Sequence, residues 1–172
     1  MENKKKITIK KPDIFFMSFF GTGFSPLAPG TCASIITIII LYLLKRTQLS
    51  IIILSVFCIS LTIVSCHLAH SIELKYKIKD PSWIVMDEVI GMLMAWLIAG
   101  RNDIINLSIL FILFRIMDIF KPWPASYADK KIKHGIGIIL DDVIAGSYAA
   151  FATLIIINWH FCWSNVLRIF YA

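Results

Sequence analysis

The chain has 172 residues, 58% hydrophobic and 16% charged, with a formal net charge of +6 and a mean hydropathy of +0.78. That length suits a single domain, residues 1–172, and so apolar a composition excludes an ordinary soluble fold in favour of an integral membrane protein. The basic residues lie in short clusters between apolar runs, which speaks for membrane orientation and against a nucleic-acid partner.

The chain opens with MENKKKITIKKPDIFFMSFF, in which lysines precede an apolar run from Ile14 to Phe20. The run is short for a signal-peptide core and lacks a small-residue cleavage site, so residues 1–20 read as a basic segment lying at the membrane interface. GTGFSPLAPGT, from Gly21 to Thr31, then reads as a loop leading into an apolar helix from Cys32 to Leu44. Thr31 is a candidate cap for that helix, and the free N–H groups around it suit a phosphate; the same residues also describe any turn before a helix.

Four further apolar runs follow: Leu49 to Ala69, Ile84 to Ala99, Ile104 to Met117 with an extension to Phe120, and Ile136 to Trp159. Of the five, the second and last reach the roughly 20 residues that cross a bilayer comfortably; the others must be tilted, incomplete or extended. None alternates with period two, so the expected fold is all-α: a polytopic helical membrane protein of about four to five hydrophobic helices. With the N-terminus in the cytoplasm and five crossings, 13 of the 17 basic residues fall inside, leaving Lys45, Arg46, Arg101 and Arg168 outside. The C-terminal WHFCWSNVLRIFYA then lies on or near the outer surface.

This topology gathers charge at the cytoplasmic helix ends. Asp87 and Glu88 start the third run, Arg115, Asp118 and Lys121 close the fourth, and Asp141 and Asp142 start the fifth. Arg115, Asp118 and Lys121, at steps of three, share a helix face with one carboxylate between two cations. Such charges in an apolar segment need polar partners or a ligand; a self-satisfied ion cluster between helices is the plainer alternative. IVMDEVIG, Ile84 to Gly91, is echoed by IILDDVIAG, Ile138 to Gly146: apolar residues, an acidic pair, Val-Ile, then glycine. The echo suggests two equivalent helix starts offering carboxylates to one centre, though membrane helices draw on few residue types and chance produces such matches.

Clustered carboxylates repel one another and favour a bound cation, and oxygen-only ligands favour Mg²⁺ or Ca²⁺ over zinc. Mg²⁺ binds through one or two carboxylates, waters and substrate phosphate oxygens, while neighbouring arginine and lysine hold the remaining phosphate charge. The residues thus point to Mg²⁺-dependent phosphoryl chemistry on a membrane-embedded substrate, with Asp87, Glu88, Asp118, Asp141 and Asp142 as candidate metal ligands. Arg115, Lys121 and Thr31 are candidate phosphate-binding residues. A transporter using intramembrane carboxylates is the alternative, but it would place them along a path near the midplane.

Other chemistries find less support. Cys32, Cys58, Cys66 and Cys162 show no ligand-like spacing, and no Cys-x5-Arg loop exists for a cysteinyl-phosphate route. His67, His70 and Glu73 form H-x-x-H-x-x-E on one helical face, either a softer metal site or interfacial histidines. His134 is a candidate general acid for the leaving alkoxide.

GTGFSPLAPGT (Gly21 to Thr31), DPSWIVMDEVIG (Asp80 to Gly91), FRIMDIFKPWP (Phe114 to Pro124) and GIGIILDDVIAG (Gly135 to Gly146), in that order, resemble the bacterial phosphatidylglycerophosphatase A family. Cys32 stands where the family often has an aromatic residue, and Ala125 to Lys133 reads as linker. The resemblance implies a Mg²⁺-dependent lipid phosphatase of the bacterial inner membrane that converts phosphatidylglycerophosphate to phosphatidylglycerol at the cytoplasmic face. Asp87, Asp118 and Asp142 are the expected catalytic carboxylates. Direct attack by metal-activated water is expected, and a covalent aspartyl phosphate on Asp118 is the competing route.

Overall fold

The computed structural model describes residues 9–44, 51–78, 81–100, 103–132 and 135–170. The described residues form helices α1 (Pro12–Met17), α2 (Pro29–Leu44), α3 (Ile51–Tyr76), α4 (Met86–Ala99), α5 (Ile104–Phe120), α6 (Ala125–Lys131) and α7 (Gly135–Phe170), with a 3₁₀ turn over Thr22–Phe24. No strand occurs among them. Two helical stretches, Ile51–Tyr76 and Gly135–Trp159, are long and apolar enough to cross a membrane.

α4 is the axis of the bundle. Met86, Val89, Ile90, Met92, Leu93, Ala95 and Trp96 are all buried, because α7, α2, α3 and α5 each pack against it. α2 and α3 instead turn apolar side chains outward, among them Ile36, Ile39, Ile52, Phe57 and Ile63, a surface that suits hydrocarbon and not water. Several hydroxyls in α2 and α7 return to the carbonyl one turn back. Ser34 donates to Gly30 at 2.9 Å, Thr37 to Ala33 at 2.8 Å and Thr153 to Ala149 at 2.7 Å, so none needs an outside partner.

α1 is keyed into this bundle. Ile14 and Met17 are fully buried, Lys11 Nζ donates to the Tyr76 hydroxyl at 2.8 Å, and Lys75 pairs with Asp13 at 3.2 Å. The Val85 N–H donates to the Met17 carbonyl at 3.0 Å, just before α4 begins.

Three boundaries differ from the sequence expectation. α2 begins at Pro29, since proline at the first helical position loses no hydrogen bond; Thr31 therefore lies inside the first turn and does not cap the helix. α6 occupies the stretch expected to be linker, with the Tyr148 hydroxyl of α7 donating to the Trp123 carbonyl beside it at 3.0 Å. The backbone of α7 continues as helix to Phe170, through the stretch expected at the outer surface; its side chains from His160 onward, and all of His134, lie outside the described residues.

Candidate active site

The two echoed segments meet at a glycine crossing. A Cβ on Gly146 would lie 2.2 Å from the Gly91 carbonyl oxygen, and one on Gly91 would lie 2.7 Å from the Asp142 carbonyl oxygen. Only glycine lets α4 and α7 approach at backbone distance here. That approach sets the acidic pair of α4, in its first turn, against the acidic pair of α7. One carboxylate oxygen from each of Asp87, Glu88 and Asp142 falls within 4.8 Å of the others. Among the described residues this is the one group of three or more His, Cys, Asp or Glu side chains so placed.

The group lines a cavity of about 250 Å³ together with Asp118, Lys121, Asp141, Ser82, Ile84 and Ile138. Asp87, Asp141 and Asp142 are buried. Glu88 Oε2 is buried with no hydrogen-bond partner, and a Cβ on Gly30 would lie 1.9 Å from Glu88 Oε1. The glycine at the start of α2 thus leaves the room that the Glu88 carboxylate occupies, which brings the start of α2 against the site.

α5 supplies the cations. Arg115 Nη1 lies 2.7 Å from Asp118 Oδ2, one turn along the helix. Lys121 ends the helix with φ 44° and ψ 61°, and this left-handed turn carries its ammonium across the cavity to Asp141. The expected arrangement of one carboxylate between two cations is therefore corrected: Arg115 serves Asp118 and Lys121 serves Asp141, because the helix stops before the second cation.

Five carboxylates face two cations in one small, partly buried space. An isolated buried charge is costly, and like charges within a few ångströms raise the cost, so the set calls for positive charge from outside the chain. An all-oxygen donor group with a buried, hydrogen-bond-free Glu88 oxygen fits a hard divalent ion such as Mg²⁺.

The structure thus brings Asp87, Glu88, Asp118, Lys121, Asp141 and Asp142 to one cavity, with Arg115 one contact behind. Thr31 does not line it; its helix position follows from the early start of α2. His67 and His70 line a separate cavity with Cys66, Thr62 and Ile136, and neither they nor Glu73 line the acidic one. Ser82 was missed by sequence reasoning. It is exposed between buried Pro81 and Trp83, on a turn closed by Ile84 N–H to the Pro81 carbonyl at 2.9 Å and backed by the stacked rings of Phe24 and Trp83, 5.9 Å apart. One serine among so many polar signals carries no periodicity that would have marked it.

The family model described as phosphatidylglycerophosphatase A matches residues 15–157. A protein of Escherichia coli (strain K12) named phosphatidylglycerophosphatase A is 32% identical over 150 residues, covering 86% of this chain and 84% of its own length. A Haemophilus influenzae protein of the same name is 30% identical over 165 residues, 90% of this chain and 94% of its own. A Bacteroides thetaiotaomicron protein with the provisional name of a phosphatidylinositol-3-phosphatase is 36% identical over 146 residues, 81% and 89% of the two chains. No solved structure matches. With the family model spanning all four sequence motifs and every residue of the cavity, the chain belongs to the phosphatidylglycerophosphatase A family.

Proposed function

We propose that this protein is a Mg²⁺-dependent phosphoric monoester hydrolase that removes the terminal phosphate of phosphatidylglycerophosphate to give phosphatidylglycerol. It does so as a multi-pass protein of the bacterial inner membrane, with the acidic cavity facing the cytoplasm. The observation that carries the reading is the acidic group of Asp87, Glu88 and Asp142 at the glycine crossing, taken with the names of the relatives. All three relatives are named for release of phosphate from a lipid head group, so the reaction type is shared even where the head groups differ.

Asp87, Glu88 and Asp142 would hold the ion. Bound there, Mg²⁺ supplies positive charge to the phosphoryl oxygens and makes water more acidic. Lys121, on the cavity wall, binds a phosphoryl oxygen and is itself kept in place by Asp141. Arg115 fixes the Asp118 carboxylate, which takes a proton from the attacking water. The new P–O bond forms as the ester P–O bond breaks, and the electron pair leaves on the glycerol oxygen, which is then protonated. Direct attack predicts inversion at a chiral phosphate; net retention would transfer the reaction to an aspartyl phosphate on Asp118. The transporter alternative finds less support, since the carboxylates share one cavity at helix ends instead of marking a path.

The test is phosphate release from phosphatidylglycerophosphate by the purified protein, abolished by chelator and restored by Mg²⁺. Full activity in chelator would refute the metal's role, and no release under any metal condition would refute the function.

A further inference from the structure

Resting on this lipid-phosphatase reading, the geometry points to a second binding site: a slot between α2, α3 and α4 that seats one acyl chain of the phospholipid substrate. The slot has a volume of about 220 Å³, and its wall includes Thr37, Leu41, Leu54, Leu61, Met86 and Val89. Thr37 is the single polar side chain on that wall, and its hydroxyl is already given to the Ala33 carbonyl at 2.8 Å. The wall therefore offers no hydrogen bond. Phe20, Ile40 and Phe57 on its wall are exposed, so the slot is open to its surroundings, and its apolar lining suits hydrocarbon better than water.

Its shape and position argue for a chain attached to the head group. The lining runs from Thr37 to Leu44 on α2 and from Met86 to Leu93 on α4, roughly 10 Å of rise along each helix. The slot is thus elongated along the helices. It begins in the first turn of α4, where Met86 and Val89 line the slot while Asp87 and Glu88 line the polar cavity. Met86 and Val89 face one side of that turn and Asp87 and Glu88 the other, so the width of the helix start separates the place for hydrocarbon from the place for phosphate, and a lipid bound at both passes round it.

Phe19 and Phe20, also on the slot wall, have φ of 46° and 57°, a conformation that bulky residues rarely adopt. Three backbone hydrogen bonds of 2.9 Å hold the turn: Phe19 N–H to Phe16, Phe20 N–H to Phe15, and Gly23 N–H to Ser18. The strain is maintained where it sets two rings, 5.6 Å apart, on the slot. Seating one chain fixes the head group relative to Asp118 and Lys121, so that binding far from phosphorus is used in the chemical step.

The test compares dioleoyl and dihexanoyl phosphatidylglycerophosphate with the full-length protein in detergent and Mg²⁺, using wild type and the slot-filling variants Ile40→Trp and Leu61→Trp. Wild type should prefer the dioleoyl substrate in kcat/KM by on the order of tenfold. The variants should lose most of that preference through a lower rate on the dioleoyl substrate. Their dihexanoyl turnover, unchanged within about twofold, reports an intact fold and cavity. A second measurement needs no variant: a diazirine midway along one substrate chain should label the Thr37–Leu44 and Leu54–Leu61 stretches, and excess unlabelled dioleoyl substrate should suppress that labelling. Equal kcat/KM for the two substrates, or labelling spread over the outer surface and insensitive to competitor, removes the slot while leaving the phosphatase intact. Failure to hydrolyse either substrate removes the phosphatase reading itself, and this inference with it.

Discussion

Replacing Gly146 by alanine probes the crossing on which the acidic group depends. The added Cβ would lie 2.2 Å from the Gly91 carbonyl oxygen, whereas close C–H···O contacts sit near 3.3 Å or more, so α7 must retreat by about 1 Å. Asp142 lies one turn earlier on the same helix and moves with it, away from Asp87 and Glu88. Metal ligands tolerate roughly 0.2 Å of misplacement, and a 1 Å displacement of catalytic groups costs on the order of 10²-fold. kcat/KM should therefore fall about 10²-fold, with a higher Mg²⁺ concentration needed for half-maximal rate. Stability should change far less: overpacking costs about 1–3 kcal/mol, while alanine in place of glycine returns about 0.8–1 kcal/mol of helix propensity. Phosphate release across a Mg²⁺ titration, beside thermal melting in detergent, separates the two effects. A Gly146→Ala protein with rates within about twofold of wild type would refute the claim that backbone contact at this crossing sets the site.

Two further outcomes follow from the same geometry. Lys121→Met should lower kcat/KM on the order of 10²-fold by removing the cation that serves Asp141, and Lys121→Arg should recover part of it; equal rates in wild type and Lys121→Met would exclude Lys121 from phosphate binding. Gly30→Ala should impair activity by displacing Glu88, whose Oε1 would lie 1.9 Å from the new Cβ, whereas Thr31→Ala, outside the cavity, should keep its rate within about threefold; the reverse order would return Thr31 to the site.

The apolar runs were legible because they are apolar on every face and leave little amphipathic ambiguity, and α3 to α5 lie close to where hydropathy puts them. The grouping of Asp87, Glu88, Asp118, Asp141 and Asp142 was also legible, since apolar runs expected to alternate in direction return these acids to one end. The echo of IVMDEVIG and IILDDVIAG held more than its acids: Gly91 and Gly146, at corresponding ends of the two segments, form the crossing that draws the pairs together. Which cation meets which carboxylate was not legible. It turns on a single left-handed residue, Lys121, and spacing along an ideal helix cannot register where that helix stops. Thr31 was misplaced for a related reason, as Pro29 starts α2 before the apolar run does. Ser82 and the burial of α1 were hidden because both arise from packing between segments far apart in the chain.

The hydrogen bond from Val85 to Met17, the contact of Gly30 with Glu88 and the crossing of Gly91 with Gly146 also order events during biosynthesis. When α4 leaves the ribosome, α1 and α2 are already made and can lock its first turn, so Asp87 and Glu88 take their positions early. Asp142 arrives more than 50 residues later. A chain made only as far as α5 therefore carries half a cavity, with the acidic pair of α4 and no opposing pair. On the proposed reading, the acidic group is complete only once α7 closes against α4, so the last long helix to be made is the one that finishes the site.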